Sequence, residues 1–140
     1  MFLITTEENM EIVYTKATKI IIRPDGIIES HSREGWNEPD SVETARETAL
    51  KLQEIASSGI YAHMSFPPNL YIKKEIIQAF LEVEIGHIAE AVVVKSFGAR
   101  LLGKLALQIK KPATPSKMFG TKEEAEIWLL EELEKVKADL

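Results

Sequence analysis

The sequence predicts a single α/β domain with a mixed β-sheet: an N-terminal hairpin, then alternating strands and helices, with four helices in all. Three observations predict it. Two β-branched runs flank the turn signal Arg23-Pro24-Asp25-Gly26. Strand-like and helix-like periods then alternate to the end of the chain. One of the later runs, Ala91–Val94, is apolar throughout, as expected of an interior strand covered on both faces.

Taken in order, "EIVYTK" and "TKIIIR" read as strands. Pro24 presets φ and Gly26 accepts positive φ, so Thr18–Arg23 and Ile27–His31 form the hairpin. "REGWNEPD" is a polar loop. The first helix starts near Asp40, with Asp40 as cap and Glu43 as its reciprocal partner. Val42, Ala45, Ala49, Leu52 and Ala56 supply its apolar stripe, and "SSG" ends it. "IYAHMSF" is a strand stopped by Pro67 and Pro68. Ile72, Ile76, Ile77 and Phe80 mark a second helix that closes near Gly86. A third helix spans about Phe97–Lys110, "SKMF" is a short strand, and Thr121 caps the last helix with Glu124 in the capping-box position. Its inward face is Ala125, Trp128, Leu129, Leu133 and Val136, and Trp128 is expected to pack it onto the sheet. Right-handed crossovers place helices on both faces of the sheet.

The 140 residues suit one domain and allow a core without covalent staples. No cysteine is present, which excludes disulfides and thiolate metal sites and fits a cytoplasmic protein. "MFLITTEENM" lacks the basic n-region of a signal peptide, and no apolar run reaches membrane-spanning length. A formal net charge of −5 argues against a general nucleic-acid binder.

The layout, and the block "AEAVVVKSFGARLLGKLALQIKKPATPSKMFGTKEEAEIWL", resemble small bacterial STAS-like, SpoIIAA-like domains, which are related in fold to CRAL-TRIO lipid-binding domains. The resemblance rests on the strand Ala91–Val94, the turn Lys95–Ser96, Arg100, Lys111–Pro112, Pro115, Phe119 and the acidic helix Glu123–Leu129. It implies a SpoIIAA-like fold and a regulatory or interaction role. In STAS antagonists a serine in an Asp-Ser-Ser-Gly-like loop is phosphorylated, and added charge at a helix N-terminus gates partner binding. The corresponding place here is "HMSFPPNLYIKK", with Ser65 and Asn69, and it carries no Asp-Ser-Ser-Gly pattern.

Motifs for chemistry are sparse. His31, His63 and His87 show no i, i+4 pairing and no HExxH, so the spacing predicts no metal site and no cofactor. There is no G-x-S-x-G and no phosphate-binding glycine loop; Ser96 reads as a helix cap. The most distinctive stretch is Ala91–Gly120, with six basic residues and no acid, which leaves −11 on the rest of the chain. In helical projection Leu107 falls on the cationic face with Arg100, Lys104 and Lys110, as a partner contact would require; the competing reading is a structural helix paired with the protein's own acids.

Three functions are therefore open. The first is a non-enzymatic interaction module that binds a protein partner or acidic ligand through Arg100, Lys104, Leu107 and Lys110, and is compatible with a homodimer. The second, implied by the CRAL-TRIO relation, is a carrier of lipid or a small apolar ligand, which needs an apolar cavity of a few hundred Å3. The third is a small hydrolase using Ser65 or Ser96 with His63.

Overall fold

A computed structural model describes residues 3–5, 10–36, 41–67, 73–95 and 114–140. Over these residues the chain forms one seven-stranded mixed sheet whose spatial order follows the sequence. β1 (Leu3–Thr5), β2 (Met10–Tyr14), β3 (Thr18–Ile22) and β4 (Ile27–Ser32) form an antiparallel meander. β5 (Ala62–Phe66), β6 (Glu90–Val93) and β7 (Ser116–Phe119) then add in parallel. The described helices are α1 (Val42–Ala56), α2 (Lys74–Leu81) and α3 (Lys122–Ala138). The expected helix over Phe97–Lys110 lies outside the described residues.

The hairpin forms where the turn chemistry dictates. Gly26 takes φ 94°, and the Asp25 carboxylate accepts a hydrogen bond from the Ile27 amide at 3.2 Å. β6 lies between β5 and β7, as its apolar sequence requires. β1, a three-residue strand at the start of the chain, is not predicted from sequence.

Strand alternation sorts the sheet into two faces. Ile27, Ala62, Met64, Ala91 and Val93 face α3 and pack against Ala125, Leu129 and Leu133. Val13, Ile20 and Ile28 face the opposite way, against Ala49, Leu52, Ile55 and Ala56 of α1. α2 packs beside α1, and its Phe80 joins the same cluster.

Two expectations about α1 need correction. Its cap is Ser41 rather than Asp40, which lies outside the described residues. The Ser41 hydroxyl accepts from the Thr44 amide at 3.1 Å, and the Thr44 hydroxyl accepts from the Ser41 amide at 2.9 Å. Its buried stripe is Thr44, Thr48, Ala49, Leu52, Ile55 and Ala56, while Val42 is exposed. The inward turn of Thr48 is stabilised by polar partners: its hydroxyl lies 3.2 Å from that of Thr15 and 2.9 Å from that of Thr18.

α3 starts as expected, with the Thr121 hydroxyl accepting from the Glu124 amide at 3.3 Å. Trp128 is only partly buried. Its ring tilts against Phe119 at 5.6 Å, and Lys117 Nζ lies 5.4 Å from the ring centroid. It closes the β7 end of the core rather than filling its centre. Trp128→Ala is therefore expected to cost roughly 1–3 kcal/mol in urea melts, below the 3–5 kcal/mol typical of a fully buried aromatic.

A buried histidine cluster as the candidate functional site

β5 places Ala62, Met64 and Phe66 towards α3, and His63 and Ser65 towards the helix pair. His63 is fully buried. Its register partner on β6 is Glu90, so the two side chains project from neighbouring strands on one face. Ser30 sits two residues beyond the β4 partner of His63, which is Ile28. His87 arrives on the loop before β6. Gly86 takes φ 91° there, and hydrogen bonds from Ile88 N to Tyr61 O (2.8 Å) and from His63 N to Ala89 O (2.9 Å) hold the loop along β5.

The four side chains meet. Ser30 Oγ lies 2.8 Å from His63 Nε2, and His63 Nδ1 lies 3.2 Å from Glu90 Oε1. His87 Nε2 lies 3.5 Å from Glu90 Oε2, and the two imidazole centroids are 5.1 Å apart. The Phe80 ring stacks over His63 at 6.5 Å.

Charge decides the proton positions. Burial alone would raise the Glu90 carboxyl, but hydrogen bonds from His63 and His87 outweigh it and hold the group well below the ordinary carboxylate range. Burial keeps His63 below its ordinary value despite Glu90, so the imidazole is neutral. An ionised Glu90 only accepts, so His63 Nδ1–H donates to it and Nε2 accepts the Ser30 hydroxyl. Serine, histidine and carboxylate thus stand in the hydrogen-bond order of a hydrolase triad. Ser30, however, is buried in the middle of a strand, so its hydroxyl faces protein rather than a substrate.

A second polar cluster occupies the α3 face. Glu29, 3 % exposed, accepts from Arg23 at 3.0 Å and pairs with His31 at 2.8 Å and Lys122 at 3.5 Å. Arg23 also pairs with Asp25 at 2.6 Å and with Glu126 of α3. His31 stacks on Phe66 at 4.3 Å. This network fastens the hairpin to α3. Beside it, a cleft of about 350 Å3 is lined by Glu11, Arg23, Asp25, Tyr61 and Lys137 among others, a charged rim unlike the apolar cavity a lipid carrier needs.

Comparison of the chain with protein-family models, with curated proteins and with solved structures found no match.

The residues singled out in the sequence fall differently. Arg100, Lys104, Leu107, Lys110, Asn69 and Ser96 lie outside the described residues. Ser65 lies inside β5, in register with Ser30 and Val92, and so does not occupy a loop at a helix N-terminus. The serine bonded to His63 is Ser30, which the hydrolase reading did not name. The expectation of no metal-ligand constellation rested on spacing along the chain. His63 on β5 and His87 on the loop before β6 meet only in the folded chain, beyond the reach of that test. The one local signal was His87-x-x-Glu90 immediately before an apolar strand. Among the described residues no helix is long and apolar enough to cross a membrane.

Proposed function

We propose that the chain is a non-enzymatic interaction module with a SpoIIAA-like fold, and that the outer face of α3 docks a protein partner. The sequential strand order, antiparallel and then parallel, supports the fold assignment. The observation that carries the docking reading is Ile127. It is 61 % exposed at the centre of the outward face. Glu123 and Glu124 precede it by four and three residues, Leu130 and Glu131 follow by three and four, and Glu134 completes the face at seven. Leu130 is exposed as well. Two neighbouring aliphatics inside a ring of acids match an apolar anchor with a charged rim. Burial of the area each still exposes contributes up to about 1–2 kcal/mol for Ile127 and about 1 kcal/mol for Leu130.

The complementary partner is basic and amphipathic. The acid-free stretch Ala91–Gly120, with Arg100, Lys104, Leu107 and Lys110, has that chemistry in a second copy of the chain. A two-fold dimer would pair each acidic face with the other copy's basic stretch. Sedimentation and native mass spectrometry over a concentration series test this. A dimer is expected at low salt. It should weaken in 1 M salt, where the Debye length falls to about 3 Å. Ile127→Glu should abolish it, and so should Arg100→Glu combined with Lys104→Glu. A monomer at every concentration in low salt would remove the second copy as partner.

A further inference from the structure

We propose that His63, His87 and Glu90 form a binding site for one divalent transition-metal ion, with zinc the best fit. The inference is independent of the docking face on α3. It stands on four observations.

The first is convergence. One nitrogen from each histidine and one carboxylate oxygen lie within 4.8 Å of one another. They come from β5, the loop before β6 and the start of β6. The sheet register sets His63 against Glu90, and the hydrogen bonds of Ile88 to Tyr61 and of Ala89 to His63 hold the His87 loop beside them. The second is spacing. Ligands bound to a tetrahedral zinc at about 2.0–2.1 Å are about 3.3 Å apart. Glu90 Oε1 stands 3.2 Å from His63 Nδ1 and its Oε2 stands 3.5 Å from His87 Nε2, so the carboxylate already lies between the two rings. Closing the ligand atoms from within 4.8 Å of one another to that spacing, with one Glu90 oxygen shared by both rings, completes the site.

The third observation is the outer partner. Histidine ligands commonly use the remaining ring nitrogen to bond a neighbouring group, which fixes the tautomer. Ser30 Oγ occupies that place, 2.8 Å from His63 Nε2. Metal at Nδ1 leaves the ring neutral with its proton on Nε2, which then donates to Ser30. The direction of that hydrogen bond reverses while the number of protons on the ring is unchanged. The fourth is the donor set. Two imidazoles and one carboxylate suit zinc and its neighbours and disfavour magnesium and calcium, which prefer oxygen alone. A bound dication would also neutralise the carboxylate of Glu90, which is only 16 % exposed. Three protein ligands leave a further coordination position for water or an anion, as in zinc sites that are not purely structural.

The test uses the full chain after treatment with a chelator. Zn2+ should bind at one equivalent in calorimetry and raise the melting temperature. Co2+ should give the intense visible absorption of a tetrahedral site. His87→Ala and Glu90→Gln should each remove the Co2+ spectrum and the thermal shift, with circular dichroism confirming the fold. Ser30→Ala should retain one equivalent but weaken affinity by about 10–100-fold. His31→Ala, on the opposite face, should bind as the unaltered chain does. Absence of both the Zn2+ shift and the Co2+ spectrum in the unaltered chain overturns the site. So does binding that survives His87→Ala and Glu90→Gln.

Discussion

Leu133→Ala is expected to lower the unfolding free energy by about 3–5 kcal/mol, near the upper end for a buried leucine. Leu133 is 1 % exposed and lies under the sheet on α3. Its methyl carbons come within 3.5 and 3.7 Å of where a Cβ on Gly26 would sit. The cost of such a truncation depends on how far the surroundings can collapse into the void. The same core cluster contains Ala62, Ala89, Ala91 and Ala125. These short side chains cannot reach into a new cavity, and Gly26 has no side chain to offer. Much of the hole therefore persists, and only the longer side chains of the cluster, Ile27, Met64 and Leu129, can lean into it. Leu130→Ala, on the outward face of the same helix, is expected to change stability by less than about 0.5 kcal/mol. Urea melts of both variants check the contrast. A loss below about 1 kcal/mol for Leu133→Ala would mean that α3 is not seated on the sheet as described.

That contrast shows what the sequence makes legible. The inward face of α3 could be read from Ala125, Leu129 and Leu133, because a helix buries residues at intervals of three and four. β6 was legible for a similar reason: an apolar run between turn signals has few other places to go. The face of α1 was less so. Thr44 and Thr48 are buried with polar partners, Thr44 on Ser41 and Thr48 on Thr15 before β3 and Thr18 at its start, and such pairing leaves no trace in apolar periodicity. Ile127 was invisible in the opposite sense. It counts as apolar, yet it points outward among acids, and Trp128 beside it lies at the rim rather than in the centre.

The histidine cluster was the least legible part. Ser30, His63 and Glu90 come from three strands, and their meeting depends on the parallel register of β4, β5 and β6. A one-residue slip of β5 would turn His63 to the α3 face and break its bonds to Ser30 and Glu90. Spacing within one element cannot carry that information. The same holds for Glu29, whose partners Arg23 and Lys122 stand on either side of it in the chain, on the hairpin turn and on α3.

Arg23→Met is expected to cost about 1.5–3 kcal/mol near neutral pH, because the buried Glu29 carboxylate loses one of its three partners while His31 and Lys122 remain. Glu29 has almost no contact with water. Burial alone would raise its carboxyl, but hydrogen bonds from His31 and Arg23, with the charge of Lys122, pull it from an ordinary 4.5 down to about 2. Asp25 and Glu126 complete the network around Arg23. Because the folded value lies below the unfolded one, the unfolded chain binds the proton first on acidification. The stabilisation is therefore fully present above about 4.5 and is lost as pH falls towards 2. The gap corresponds to roughly 3 kcal/mol at neutral pH. Glu29→Gln should remove this component of the acid sensitivity. Its stability deficit relative to the unaltered chain should be largest near neutral pH and shrink steadily between pH 4.5 and 2. Urea melts of both proteins at pH 7, 4 and 3 give the comparison directly. A deficit that stays constant across those three values would show that Glu29 is not held ionised by Arg23 and His31 in the folded chain.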